Sequence, residues 1–182
     1  RQECLSQYRK QDVIADLCST EPHKWKMESW QFAVSKTVQA DGWEAEIDLI
    51  QRNSQYGFQS RFISIRFVAN NRLTASDKII AAFEAIVIAK ALGRKTDKAK
   101  IIHGEKKVAL SVNAGALSRV VHKKVAQVIV LLSSHTQPDT IINRHCSECE
   151  FNEVCKKDAV VKDDLSLLAN LTEKERTKFN SK

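Results

Sequence analysis

Residues 43–68 read WEAEIDLIQRNSQYGFQSRFISIRFV, and this stretch decides the fold class. Trp43, Ala45, Ile47 and Leu49 alternate with polar residues; after the polar segment 53–57, Arg61, Ile63, Ile65 and Phe67 mark a second alternating run. Period 2 is the mark of half-buried strands, and two such runs joined by a short polar link pair antiparallel. A turn centred near Gln55 sets Asp48 opposite Phe62, Glu46 opposite Ser64 and Glu44 opposite Arg66. Glu44, Glu46 and Asp48 then share one face of their strand, with Ile47 and Leu49 on the other.

Upstream, Trp30, Phe32, Val34 and Val38 have the same alternation, and the opening segment to about Val13 is weakly helical. Downstream, Thr74 stands three residues before Asp77, a capping-box start with Asp in place of Glu, for a helix that ends at Gly93. Its buried face is expected to carry Ile79, Ile80, Phe83, Ile86 and Val87. The segments 99–103 and 108–112 read as two strands around a basic turn. A long amphipathic helix over about 116–133 follows, its stripe of Val120, Val121, Val125, Val128, Ile129 and Leu132 expected in the core. Pro138 breaks the chain, residues 164–170 form a helical turn or two, and Thr172 with Glu175 caps a last helix. The order predicts an α/β (α+β) fold, a central sheet flanked by helices, over residues 1–143, and a cysteine-bearing tail over 144–182.

A chain of 182 residues, 43% apolar, is long enough for one domain with a core and a small appendage. With 28% charged residues, 5 Gly and 2 Pro, it is not a disordered, collagenous or low-complexity protein. The longest apolar runs, at 79–89 and 125–132, are too short or carry a charge, so no membrane span is expected and the protein is read as soluble and cytoplasmic. The N-terminus has no apolar signal region, and both ends are read as cut from a longer chain. Of the net +7 charge, residues 144–182 contribute nothing, with 8 basic and 8 acidic residues. A basic body suits a polyanion, nucleic acid first. Arg94, Lys95, Lys98, Lys100, Lys106, Lys107, Arg119, Lys123 and Lys124 are candidates to follow a phosphate backbone.

Three of the 5 cysteines, Cys146, Cys149 and Cys155, crowd into ten residues. This is a poor disulfide framework and a good metal knuckle, because the spacing lets soft thiolates converge on one centre. Zinc and iron–sulfur clusters both want four ligands. The fourth must come from elsewhere: Cys4 and Cys18 are the other cysteines, and His145 is adjacent to Cys146 and awkward for joint ligation.

The segments HCSECEFNEVC (145–155), KDDLSLLANLTEKERTKFNSK (162–182), EAEIDLIQR (44–52) and RFISIRFVANNRLTASDKIIAAFEAIVIAKALG (61–93) together resemble the RecB-like nuclease family of the PD-(D/E)xK superfamily, often fused to a helicase. The likeness extends more distantly to CRISPR-associated RecB-type exonucleases and covers the chain from about Trp30 onward. It implies a restriction-endonuclease-like fold and a metal-dependent DNA exonuclease acting on single strands or ends. It also implies a four-iron four-sulfur cluster on the three tail cysteines and one distant N-terminal cysteine. In such chains that cysteine lies upstream of the region starting at Arg1, which leaves Cys4 either the fourth ligand or a bystander.

Within the resemblance, Asp48 matches the family's Mg²⁺- or Mn²⁺-binding Asp, and the Glu-x-Lys positions fall on Ser64-Ile65-Arg66. Ser64 is no carboxylate, and Arg66 keeps the charge without the compact ammonium. Glu46, opposite Ser64 on the expected register, is the candidate to supply the missing carboxylate. The expectations are therefore a DNA-processing protein with Asp48, Glu46 and Arg66 as catalytic candidates and weak or absent nuclease activity. The alternatives are a non-catalytic DNA-binding platform for a helicase, or a zinc-stabilised interaction domain.

Overall fold

The computed structural model describes residues 14–15, 22–26, 30–53, 61–94, 98–134, 141–143, 146–168, 171 and 173–180. The opening helical segment, Cys4, Cys18, Lys95, Pro138, His145 and Thr172 lie outside them. The chain divides into two compact units, Arg1–Val128 and Ile129–Lys182.

The first unit is built on a six-stranded mixed sheet whose spatial order follows the chain: β1 (Ile14–Ala15), β2 (Phe32–Ala40), β3 (Trp43–Asn53), β4 (Arg61–Val68), β5 (Lys98–His103) and β6 (Val108–Asn113). The pairs β1/β2 and β4/β5 are parallel; the others are antiparallel. Helix α1 (Ala75–Leu92) is the crossover that lets β5 run parallel to β4. Its ends are those read from the sequence. Thr74 and Asp77 close a reciprocal capping box, and Gly93 takes the left-handed conformation, φ +62°, that ends the helix.

The buried surface of α1 is broader than the expected stripe. Val87, Ile88 and Leu92 join Ala33, Val38, Ala45, Ile47, Ile50 and Phe62 in one apolar cluster, while Ala81, Ala82, Ala85 and Ile86 join Ala99, Ile101 and Val112 in a second. Ile80, expected inside, is exposed. Short side chains along α1 let it lie close on the sheet, so the helix is covered on more than one side.

Helix α2 (Ala114–Ser133) departs further from expectation. Only Ala114 and Val121 are buried in it, with Leu117 and Val125 partly so, on the line that meets the second cluster. Val120, Val128, Ile129 and Leu132 are exposed. Between β5 and β6, Gly104 takes φ +69°, and a Cβ there would run into the Asn71 side chain, so the turn favours glycine.

The second unit holds a 3-10 turn at Cys146–Glu148, helix α3 (Asn152–Val161), a second 3-10 turn at Leu165–Leu167 and helix α4 (Glu173–Asn180). Polar contacts organise it. Asp164 accepts from the Ser166 N–H (2.7 Å) and from Nε and Nη2 of Arg176 (3.1 and 2.7 Å), and Ser166 Oγ accepts from the Ile142 N–H at 3.1 Å. Arg176 first, then Ser166, holds the Asp164 carboxyl well below the usual carboxylate range. No helix among the described residues is long and apolar enough to cross a membrane.

Candidate functional site: a fork in the sheet

The register of β3 on β4 differs from the one expected. Leu49 pairs with Ile65, Ile50 with Ser64, Gln51 with Ile63, Arg52 with Phe62 and Asn53 with Arg61. The hairpin is thus centred on Gly57 rather than near Gln55. Ser64 faces Ile50, not Glu46, and Phe62 faces Arg52, not Asp48. A slip of four residues preserves the in/out alternation, so the apolar pattern could not tell the two registers apart.

A second departure lies at Asp48 itself. On β2 and β3 the paired residues run Val34/Leu49 and then Lys36/Ile47, with the Ser35/Asp48 rung left out of the ladder. Ser35 has φ +48°, a left-handed conformation inside a strand, and this reverses which way the strand faces. Ala45 and Ile47 lie in the cluster under α1, as does Ile50, whereas Leu49 lies in a third cluster with Phe32, Val34 and Ile65. Ile47 and Leu49 therefore do not share a face, contrary to the simple alternation. Glu44 and Glu46 point away from α1 and are exposed. Glu46 sits on the rung of Thr37, and Glu44 accepts from Gln39.

The β3–β4 pairing stops at Leu49/Ile65. Beyond it, residues 43–47 of β3 pair with β2 alone, while Arg66, Phe67 and Val68 pair with β5. The sheet forks there, and Asp48 sits in the crotch. It is 7% exposed, and its Oδ2 accepts from the Phe67 backbone N–H at 2.9 Å, a ladder donor that the fork takes from β3.

One residue further along the same arm, Arg66 turns toward α1. Its Nη1 donates to Glu84 Oε1 at 2.6 Å, with the Arg66 side chain 30% exposed and that of Glu84 only 3%. Glu84 was not singled out in the sequence, although a lone carboxylate inside IIAAFEAIVIA was the available signal. Asp77 lies two turns before Glu84 on α1. Burial raises its carboxyl's affinity for a proton, but the Thr74 hydroxyl and N–H it accepts and the nearby Arg66 charge bring it below its ordinary value overall. Ser64, where the family resemblance asks for a carboxylate, is fully buried, and its Oγ has no hydrogen-bond partner among the described residues.

At the other end of β3, Trp43 stacks on Phe83 of α1, with ring centroids 5.5 Å apart and planes at 16°. The His122 ring of α2 lies 5.0 Å from Trp43, and Lys90 Nζ stands 5.0 Å from its centroid. Of the basic candidates, Lys98, Lys106, Arg119, Lys123 and Lys124 are exposed. Lys100 is half-buried and donates to Gln51 Oε1 at 3.0 Å, a contact inside the sheet.

In the tail, Cys146 and Cys155 are half-buried, Cys149 is exposed, and none forms a disulfide. Cys146 Sγ accepts from the Asn143 N–H at 3.3 Å, the Cys149 N–H donates to the Cys146 carbonyl, and the Cys155 N–H to that of Phe151. Cys146 and Cys149 precede α3, and Cys155 lies in its first turn. Among the described residues no three His, Cys, Asp or Glu side chains group so as to hold a metal ion. Nor do Asp48, Glu46 and Ser64 fit a hard-oxygen cage, since Glu46 faces away and Ser64 carries no charge. In comparisons with protein-family models and with curated proteins, no match to this chain is found.

Proposed function

We propose that this chain is the nuclease-fold part of a RecB-like DNA-processing protein, one that holds single-stranded DNA or DNA ends and cleaves them weakly or not at all. The observation that carries the reading is the fork: a buried acid, Asp48, in the crotch of a split sheet, bound to the N–H of Phe67, the residue after the part-exposed Arg66. A gap between strands, with charge of both signs, is where a phosphodiester can be gripped and its charge balanced. The basic excess of residues 1–143, including exposed Lys98, Lys106, Arg119, Lys123 and Lys124, supports a polyanionic partner.

In this reading the fold is restriction-endonuclease-like, the location is cytoplasmic and the wider protein works with a fused or associated helicase. Cys146, Cys149 and Cys155 hold an iron–sulfur cluster or zinc, completed by Cys4 or by a cysteine of a longer chain. Mg²⁺ or Mn²⁺ acts at Asp48 only to the extent that the acidic strand admits it. The engagement of Arg66 by Glu84 favours the platform form of the reading, because a site that neutralises its own carboxylate has little left with which to fix a divalent ion.

The test is DNA binding and cleavage by the full chain. Binding of labelled single-stranded DNA should weaken steeply with salt. With Mn²⁺, nucleotide release should be faint, and unaffected by Glu46→Ala. Absence of binding at low salt sinks the reading. Robust cleavage abolished by Asp48→Ala keeps the DNA-processing role and overturns the weak catalysis.

A further inference from the structure

We infer that the Arg66 guanidinium is the resident cation of the fork, standing in the place of a divalent metal ion and held there by Glu84. This deepens the DNA-processing reading, on which it rests for the identity of the site.

Three observations meet at Arg66. Glu84 is 2% exposed, and a carboxylate taken that far out of water must be neutralised or paired. Its partner is supplied from across the layer, Nη1 to Oε1 at 2.6 Å, in the short range of charge-assisted bonds. The cation also acts on a second acid, Asp77. Asp77, seven residues before Glu84 on α1, is within its electrostatic reach, and Asp48 is bound to the backbone N–H of the next residue, Phe67. A guanidinium that does this work brings its own charge and needs no water stripped from a metal.

The oxygens of this region are committed elsewhere rather than gathered as an ion's ligands, and Arg66 Nε is itself buried with no hydrogen-bond partner among the described residues. A Mg²⁺ or Mn²⁺ site needs several oxygens in near-octahedral order. Here Asp77 is committed to its capping box with Thr74, Asp48 to the Phe67 N–H, and Ser64 offers a buried, uncharged oxygen. Arg66 and Glu84 come from two elements, β4 and α1, that only the tertiary fold brings together. A divalent ion would have to evict the guanidinium to reach Glu84, leaving Arg66 without its counter-charge.

The experiment needs no DNA, so its failure and that of the DNA-processing reading are distinguishable. Thermal unfolding of the full chain is followed by tryptophan fluorescence with and without millimolar Mn²⁺, for the parent, Arg66→Ala and Arg66→Ala/Glu84→Leu. The parent midpoint should not respond to Mn²⁺. Arg66→Ala should fall by about 5 °C or more at neutral pH and regain part of the loss with Mn²⁺, since it leaves a buried carboxylate without its cation. The double variant should recover stability and lose the Mn²⁺ response. A parent stabilised by Mn²⁺, or an Arg66→Ala protein that neither falls nor responds, overturns the inference. Should Arg66→Ala not fold, Mn²⁺ uptake read by electron paramagnetic resonance decides. Equal uptake by the parent and Glu84→Gln upholds the inference, and a parent site lost in Glu84→Gln overturns it.

Discussion

Each unit of the chain contains an arginine–carboxylate pair, and the two pairs do opposite things for their surroundings. In the sheet unit, Arg66–Glu84 is set among apolar clusters that include fully buried Ile47, Leu49, Ile50, Ile88 and Ile101. Apolar burial holds that unit together, and the pair is a charged inclusion whose desolvation offsets much of its attraction. In the tail unit, Ala159 is the buried residue of α3, while Phe151, Val154, Val160 and Val161 are exposed. There Asp164–Arg176, bidentate and with both side chains about 15% exposed, ties a turn to a helix with little apolar support. One chemical pair is a charged inclusion in one context and a fastener in the other. The difference is made by how much apolar surface surrounds it.

The largest effect should follow from attacking the apolar side of this contrast. Ile50→Ala is expected to cost the sheet unit about 2–5 kcal/mol, lost transfer energy plus a cavity at the base of the fork. Urea unfolding followed by tryptophan fluorescence measures it, because Trp25, Trp30 and Trp43 all belong to that unit. A cost below 1 kcal/mol would dissolve the contrast, since the core would then not depend on close packing.

A smaller effect is expected from the tail. Asp164→Asn should remove about 1.5–3 kcal/mol, the range of hydrogen bonds to a charged group, seen as faster amide exchange over residues 164–168 with the sheet unit's urea midpoint unchanged. The pH dependence sharpens this. The folded Asp164 carboxyl binds a proton more weakly than the unfolded one, so its contribution is full above about pH 4 and is lost as pH falls below that toward the depressed folded value. In Asp164→Asn this acid-linked opening of the tail should be gone; if it persists, another carboxylate is the fastener.

The smallest expected effect tests whether local signals matter within a unit that apolar burial already holds. Thr74→Ala removes the cap of α1 and should cost about 1 kcal/mol, read from the same urea curves. A loss as large as that of Ile50→Ala would mean that the helix start, and not the packing below it, sets the unit's stability.

What the sequence by itself determined was local. The start of α1 at Thr74 and its end at Gly93 rest on contacts within one turn and on the backbone freedom of a single glycine, so they could be read directly. The alternation in 32–38, 43–49 and 61–67 announced strands because the pleat fixes a period of two. The tertiary structure alone decided the rest. A register centred on Gly57, slipped by four residues from the one expected, satisfies the same alternation. Its choice depends on how β3 and β4 sit against α1 and β5 together. The reversal at Ser35 and Asp48 leaves Glu46 on the face away from α1, and nothing in its own neighbours marks it. The exposure of Val128, Ile129 and Leu132 contradicts an apolar stripe that local periodicity favoured, because a helix buries only as much as there is a facing surface to receive. In the sequence Glu84 is a lone carboxylate within an apolar run and was not singled out. Its role exists only because folding places it 2.6 Å from Arg66, eighteen residues away in sequence, and electrostatic energy depends on distance through space and on burial, neither of which the order of residues states.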